Sequence, residues 1–295
     1  EAALRAYNNL GAVMNERDDH QRELQSSIDG LELARKLGNR TWEEGLLIGQ
    51  MTPCLYLGRW DDALSILDQA LQLGIDPTTG LFGAEWLMVV PIHAWRGNLA
   101  EARAMLQQSD FSAAEDIQLR QTWHAINAMV ARYEGKLPEA IRSADLAFSL
   151  RAEMGIRAPG TKESFVQLLE AALESDDYEK AEEAMAVVRT LGPGEVTPYQ
   201  RVQANRFEAL LGAEHGGDPS AALRAVIRDL DDLQMPLWKA VVSTELAEWL
   251  IGQGRESEAL PLIEDARATF EQLHATLWLE RLDKSGALDT LAQAT

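Results

Sequence analysis

Few residues in this sequence have side chains suited to catalysis or metal binding, and their spacing does not match a known site. His93 and His124 are predicted on neighbouring helices, but one shared metal would need further ligands, so we expect packing or surface roles for both. The lone Cys54 follows Pro53 on a predicted helix, which is typical of a small buried hydrophobe. The acidic cluster at 229–232 has no glycine-centred calcium loop around it, which favours a solvated helix face.

Sequence motifs for common chemistries are also missing. The chain has no G-x-x-x-x-G-K-[ST] phosphate loop, no G-x-G-x-x-G segment after a strand and no H-E-x-x-H zinc motif. We therefore expect a protein that is not an enzyme, with no catalytic residue, no metal site and no cofactor.

The residue types that favour binding are concentrated in the middle of the chain. Trp95, Met129 and Tyr133 are predicted near one another, with Arg132 adjacent. Aromatic side chains, Met and Arg are enriched where proteins bind partners, and Arg can anchor a carboxylate. An alternative stays open, in which several of these side chains pack in the core between helices.

A short recurring string shows which elements would position these residues. It consists of a turn residue, a few variable residues and then Ala, as in Gly58-Arg-Trp-Asp-Asp-Ala63. The first unit departs from it, with Glu23 in place of the alanine. The alanines of the later copies recur every 37 to 41 residues, at positions 63, 102, 140, 181, 222 and 259.

The recurring string predicts a helical hairpin in each unit. Glycine ends the first helix because it enters the left-handed backbone region at little cost. The small alanine lets the second helix approach closely, and one such unit cannot bury its apolar face alone. The fold class is therefore predicted as all-α, a right-handed superhelical solenoid of about seven tetratricopeptide-like helix-turn-helix repeats with a C-terminal capping helix.

The predicted helices cover nearly the whole chain, and we expect residues 1–295 to form a single tetratricopeptide-repeat domain. The first helices are predicted near 2–16, 42–57, 81–96, 115–134, 161–175, 198–214 and 237–252. The second helices are predicted near 18–37, 59–73, 99–108, 137–154, 177–191, 218–234 and 255–274. The capping helix is predicted near 276–293.

First helices line the concave face of such a stack, which predicts a partner-binding groove. Counting back from each turn glycine gives the groove residues as Tyr56, Leu87, Trp95, Met129, Arg132, Tyr133 and Glu170. Pro53 and Pro91 should kink two successive first helices, because proline removes a helix hydrogen bond. Either the kinks suit the curvature of the stack, which we favour, or freed carbonyls near Gly49 and Leu87 bind a ligand.

The charge and cysteine content restrict the partners and the compartment. The chain has 27 basic and 47 acidic residues, a net charge of -20, and lacks a basic stripe. Direct nucleic-acid binding and binding to an anionic membrane are therefore not expected. With no long apolar run, no secretory signal and one cysteine, a cytoplasmic protein is expected. The sequence starts at Glu1, within a predicted helix, so we expect a fragment of a longer protein.

Three segments resemble the long tetratricopeptide-like repeats of large bacterial signalling ATPases. The first segment is Arg5-Ala-Tyr-Asn-Asn-Leu-Gly11. The second is Gly30-Leu-Glu-Leu-Ala-Arg-Lys-Leu-Gly38, followed by Gly58-Arg-Trp-Asp-Asp-Ala63. The third is Ala266-Arg-Ala-Thr-Phe-Glu-Gln-Leu-His-Ala275 with Trp278-Leu-Glu-Arg281. Those proteins are MalT-like LuxR-type regulators and class III nucleotide cyclases that carry an ATPase module.

The resemblance implies a non-catalytic sensor or scaffold arm that binds a protein or peptide in its concave groove. An alternative is a small-molecule sensor, such as the sugar-sensing domain of a MalT-like activator. The first hypothesis predicts an open apolar groove, whereas the second predicts an enclosed pocket with a few polar groups.

Overall fold

The computed structural model describes residues 1–76, 83–192 and 194–284, and this part of the chain is all-α, with eighteen helices and no strand. The helices are α1 Ala2–Asn15, α2 His20–Leu37, α3 Arg40–Ile48, α4 Met51–Tyr56, α5 Trp60–Gln72, α6 Gly83–Leu87, α7 Val90–Trp95, α8 Leu99–Gln108, α9 Ile117–Tyr133, α10 Leu137–Ser149, α11 Arg151–Met154, α12 Pro159–Glu174, α13 Tyr178–Arg189, α14 Pro198–Glu214, α15 Ser220–Asp232, α16 Pro236–Gly252, α17 Glu256–Leu273 and α18 Thr276–Lys284.

The two predicted proline kinks are complete breaks in the helix. The segment predicted at 42–57 forms α3 and α4, and the described part of the segment predicted at 81–96 forms α6 and α7. Each break comes a few residues before the proline, where the carbonyl that the proline would have bonded is left without its helical donor. Tight bonds close both breaks, from the Gln50 amide to the Leu47 carbonyl at 3.3 Å and from the Val89 amide to the Trp86 carbonyl at 3.2 Å.

The turn inside each hairpin has the left-handed residue that the sequence predicts. Gly58, Gly97, Gly135 and Gly254 have φ between 69° and 84°, and Asp176 takes the same place with φ 56°. In each of these turns the second helix starts two residues later, and the residue three positions into that helix is fully buried. These buried residues are Ala63, Ala102, Ala140, Ala181 and Ala259.

One predicted hairpin position was wrong. The repeat predicts a buried alanine at Ala222, in the second helix after the turn between α14 and α15. The left-handed glycine of this turn is Gly216, with φ 85°. Helix α15 starts four residues after Gly216, so the third position into the helix is Leu223, which is fully buried, while Ala222 is exposed. The turn is two residues longer than the others, and this extra length shifts the contact from Ala222 to Leu223.

The chain forms two compact units. Unit 1 comprises residues 1–94 and 98–198, and unit 2 comprises residues 95–97 and 199–295, of which 285–295 lie outside the described residues. The main boundary lies after the second helix predicted at 177–191, at the start of the first helix predicted at 198–214. The predicted capping helix is present as α18 over its described part. A single domain over 1–295 stays a prediction.

Within each unit, helices that are close in the sequence pack against one another. In unit 1, α1 packs on α2, α9 on α10, and α12 on both α9 and α10. In unit 2, α16 packs on α15 and α17, and α17 on α18. None of the described helices is long and apolar enough to cross a membrane.

Candidate ligand-binding site

Unit 1 contains a cavity of about 280 Å³, formed between α1, α2, α3 and the ends of several later helices. Its polar lining residues are Asn8, Asn15, Glu16, Glu23, Ser27, Thr52, Glu85, Gln118 and Thr122. No Lys, Arg or His is among the lining residues, so the charged groups that face the cavity are carboxyls.

Glycines on two facing helices leave room for the cavity. Gly11 lies on α1, and Gly45 and Gly49 lie on and just after α3, and all three line it. A Cβ atom added at Gly11 would come within 3.9 Å of the Ser27 hydroxyl, so the space beside this backbone is open. Because these residues have no side chains, the space between the helix backbones stays available to a ligand.

Glu23 is the carboxyl held most firmly at the cavity. It lies three residues into α2, the position that alanine occupies in most of the other hairpins. Its two oxygens accept a hydrogen bond from Asn15 Nδ2 at 3.0 Å and contact His20 Nδ1 at 2.7 Å. Burial raises the pKa of Glu23 to about 8 and lowers the pKa of His20 to about 3. Burial therefore favours the neutral forms of both side chains near pH 7.

Glu85 supplies a second carboxyl, from the short helix α6. Its Oε2 accepts a hydrogen bond from the Thr52 hydroxyl at 2.5 Å. The side chain is partly exposed, and the cavity is where it meets solvent. Burial raises the pKa of Glu85 to about 7, and the nearby charge of Glu23 raises it further.

A second layer of buried polar groups fixes the cavity wall. Lys162 Nζ on α12 donates to Asp18 Oδ1 at 2.7 Å and to the Asn15 carbonyl at 3.0 Å. Asp18 lies in the turn between α1 and α2, with φ 55°, and both members of this ion pair are almost fully buried. These bonds tie α12 to the turn beside Glu23, although about 144 residues of chain separate the two partners.

Tyr56 belongs to this second layer, and the sequence predicted it as a groove residue. Its hydroxyl donates a short hydrogen bond to Glu163, and its ring stacks on His20 with centroids 4.3 Å apart. Tyr56 is buried and is not a lining residue of the cavity. It therefore supports His20, which in turn contacts Glu23.

The structure brings three other predicted groove residues together in unit 1. The Arg132 guanidinium lies 3.5 Å from the Glu170 carboxylate, also bonds Glu174, and stands 4.4 Å from the centroid of the Tyr133 ring. Arg132 and Glu170 are buried, and Tyr133 is half-buried. The positive charge predicted to anchor a partner's carboxylate is therefore engaged by carboxylates of the same chain.

The remaining predicted groove residues are buried. Leu87 and Met129 are in the core of unit 1. Trp95 belongs to unit 2, where its ring packs edge to face on Trp238 with centroids 6.4 Å apart. None of the seven predicted groove residues lines the cavity, and their role in partner binding stays a prediction. Of the two carbonyls that the prolines free, that of Gly49 belongs to a lining residue and that of Leu87 does not.

Cys54 and His124 also have defined surroundings. Cys54 is buried, and burial raises the pKa of its thiol to about 11, so it stays protonated at neutral pH. His124 contacts the Ser143 hydroxyl and the Ser112 carbonyl, each at 3.2 Å. Over residues 1–76, 83–192 and 194–284, no group of three or more His, Cys, Asp or Glu side chains could hold a metal ion.

The sequence does not predict the cavity, although it contains one signal for it. Glu23 departs from the repeated alanine, and this departure does not by itself indicate a function. Neither Glu85 nor Lys162 has a motif around it that would have marked it. The cavity can bind polar groups through fixed carboxyls, a hydroxyl and amides, and those carboxyls make it acidic.

Comparison with known proteins shows the fold. No known protein-family profile and no curated protein matches the sequence. Among solved structures, the crystal structure of a Rap protein complexed with competence and sporulation factor matches with a TM-score of 0.66 at 10% identity. The match covers 96% of this chain and 80% of that one. The chain has a tetratricopeptide-like helical-repeat fold. The predicted fold class is confirmed.

Proposed function

We propose that this chain is a non-catalytic binding scaffold and that the cavity in unit 1 is its ligand site. The observation that carries the proposal is the cavity itself, with its fixed polar groups and the buried Lys162–Asp18 ion pair behind them. Its volume of about 280 Å³ is close to the lower end of the range for ligand pockets, which is roughly 300 to 1,000 Å³.

A cavity of this size, lined by both polar and apolar groups, suits a small molecule or a short segment of a partner. A broad protein surface would require an exposed apolar groove, and six of the seven residues predicted for such a groove are buried. The matching Rap protein was solved with competence and sporulation factor bound, which supports a binding role for this fold. The small-ligand sensor is therefore a second candidate, which a cavity with fixed polar groups favours over a broad apolar groove.

The wider context that we propose is the one implied by the sequence resemblance. The chain would be the cytoplasmic regulatory arm of a larger bacterial signalling protein, either an ATPase-linked transcription regulator or a nucleotide cyclase. Ligand binding in unit 1 would then be reported to the output domain of that protein.

Blocking the cavity tests the proposed site. Ala12 is an exposed residue of α1 that lines the cavity, so Ala12→Trp should fill it without disturbing the core. Ala6→Trp, at an exposed position on the same helix outside the lining, is the matched control. We expect compounds or peptides that raise the melting temperature of the wild type and of Ala6→Trp to leave Ala12→Trp unchanged. Compounds that stabilise all three proteins equally would place the binding site elsewhere.

A further inference from the structure

We infer that the cavity binds its ligand through a positively charged amine or guanidinium group, held by the carboxyls of Glu23 and Glu85. This inference rests on the proposed function, because it assumes that the cavity is the ligand site. It names the chemistry of the ligand, which is shared by a free polyamine and by a basic side chain of a peptide.

The charge around the cavity is the first argument. Glu16, Glu23 and Glu85 line it, and no basic side chain does. The nearest buried cation behind the wall is Lys162, whose ammonium is engaged by Asp18 and by the Asn15 carbonyl. A ligand cation would therefore meet carboxyls with no basic group of the lining to compete for them.

The fixed geometry of the two carboxyls is the second argument. Asn15 and His20 position Glu23, and Thr52 positions Glu85, each by one hydrogen bond to a carboxyl oxygen. A carboxylate oxygen has two acceptor sites, so each oxygen can accept a further hydrogen bond from an ammonium or guanidinium. A cation entering the cavity finds acceptors already in place, which reduces the entropy cost of binding.

Proton release gives the inference a distinctive signature. Burial raises the pKa of both carboxyls to between about 7 and 8, so each holds a proton for much of its time at pH 7. A bound cation favours the ionised form, so binding should release protons and strengthen as pH rises. The other charged or titratable groups around the two carboxyls include Glu16, Asp18, Asp19, His20, Cys54, Tyr56, Lys162 and Glu163.

The test is calorimetric titration with defined probes. The probes are spermidine, an end-blocked Gly-Gly-Lys-Gly-Gly peptide, and the same peptide with acetyl-lysine in place of lysine. We expect at least one cationic probe to bind about tenfold or more tightly at pH 8.5 than at pH 6.5. The observed binding enthalpy should vary linearly with the ionisation enthalpy of the buffer, with a slope that gives the number of protons released. The acetylated peptide should bind at least about tenfold more weakly than the lysine peptide. Spermidine and the lysine peptide distinguish a free polyamine from a peptide ligand.

Two carboxyl variants complete the test. Glu85→Gln keeps a hydrogen-bond acceptor for Thr52 and removes only the charge, so cation affinity should fall about tenfold or more. Glu101→Gln removes an exposed carboxyl of α8 outside the lining and should leave affinity unchanged. Melting curves and circular dichroism establish that both variants are folded.

The outcomes separate failure of the ligand class from failure of the site. The inference is overturned if neither cationic probe binds at pH 8.5, if the acetylated peptide binds as well as the lysine peptide, or if Glu85→Gln behaves like Glu101→Gln. If the acetylated peptide binds the wild type but not Ala12→Trp, the cavity is the site and only the ligand class is wrong. A probe that binds wild type and Ala12→Trp equally contradicts the proposed function itself.

Discussion

Lys162–Asp18 in unit 1 and Arg206–Glu245 in unit 2 are buried ion pairs that join very different parts of the chain. Unit 1 also contains the buried Arg132–Glu170 pair, whose partners are 38 residues apart. In unit 2, Arg206 on α14 bonds Glu245 on α16, 39 residues away, which is the distance between the first helices of successive repeats. In unit 1, Lys162 bonds Asp18 across about 144 residues. The four side chains of the Lys162–Asp18 and Arg206–Glu245 pairs are nearly inaccessible to solvent.

The surroundings of the two pairs differ as well. The Arg206 guanidinium stands 4.7 Å from the Phe207 ring centroid and 5.5 Å from that of Trp238, so aromatic side chains surround it. The Lys162 ammonium sits behind the wall of the acidic cavity. The Arg206–Glu245 pair stabilises the interface between two successive repeats. The Lys162–Asp18 pair instead joins α12 to the α1–α2 turn beside the cavity.

The largest effect is expected from breaking the pair in unit 2. Arg206→Met leaves Glu245 buried without its bidentate partner, which should cost about 4–5 kcal/mol of unfolding free energy. Urea unfolding measures the loss, and hydrogen exchange should rise first in α14 and α16. Arg255→Met, at a surface pair with Glu258, should cost less than about 1 kcal/mol. Equal costs for the two variants would mean that burial does not control the strength of these pairs.

A slightly smaller loss is expected from breaking the pair in unit 1. Lys162→Met removes the ammonium that bonds the buried Asp18 carboxylate, at a cost of about 3–4 kcal/mol. Because the pair ties α12 to the α1–α2 turn, amide exchange should increase in both places, unlike the local response expected for Arg206→Met. Lys180→Met, which removes a surface pair with Glu183, is the control. Exchange that rises only in α12 would argue against a long-range closure.

The pH dependence of stability tests the Glu85 carboxyl of the cavity in unit 1. Between pH 4.5 and about 7 the unfolded chain loses the Glu85 proton while the folded chain keeps it, so this group destabilises the fold as pH rises. Relative to Glu85→Gln, the wild type should lose at most about 3 kcal/mol over this window and nothing further above it. Chemical unfolding of both proteins from pH 4 to 8 measures the difference. A difference that is constant with pH would show that Glu85 ionises normally.

The smallest effects on stability are expected at two strained turns, one in each unit. Asp176 in unit 1 and Gln234 in unit 2 both have φ 56°, which L-residues adopt at a cost. Gln234→Gly should stabilise by up to about 1 kcal/mol, and Asp176→Gly by less, because it also removes the 3.2 Å hydrogen bond from the Tyr178 hydroxyl. Melting temperatures of the two variants give the order. Stabilisation that is larger for Asp176→Gly would mean that this hydrogen bond contributes nothing.

Much of the fold was predictable from the sequence because each hairpin is specified locally. The bounds predicted for α8 and α14 match the structure, and the left-handed glycines at Gly58 and Gly135 lie where the repeat places them. The error at Ala222 came from a turn two residues longer than the others, which the spacing of the repeat alone does not show.

The candidate site was much less predictable, because it is formed by side chains from several repeats whose relative orientation the sequence of one repeat does not specify. The meeting of Lys162 with Asp18 follows from small rotations accumulated between successive hairpins, and no single hairpin encodes them. Arg132 was predicted to face a groove, yet Glu170 and Glu174 engage it, since helical spacing gives the face of a residue but not its partner. Glu85 lies on a short helix beside residues 77–82, which are outside the described part of the chain.

The position of Glu23 has a consequence for how such arrays acquire new roles. Most of the other hairpins place a methyl group at this point and obtain close contact between their helices, whereas the first hairpin places an acid there. One changed side chain at a structurally equivalent position therefore gives the first hairpin a buried carboxyl, while its backbone keeps the conformation of the other hairpins. In a protein built from similar repeats, the repeat whose second helix has a polar residue in place of the usual small one is therefore the first place to look for a ligand-binding site.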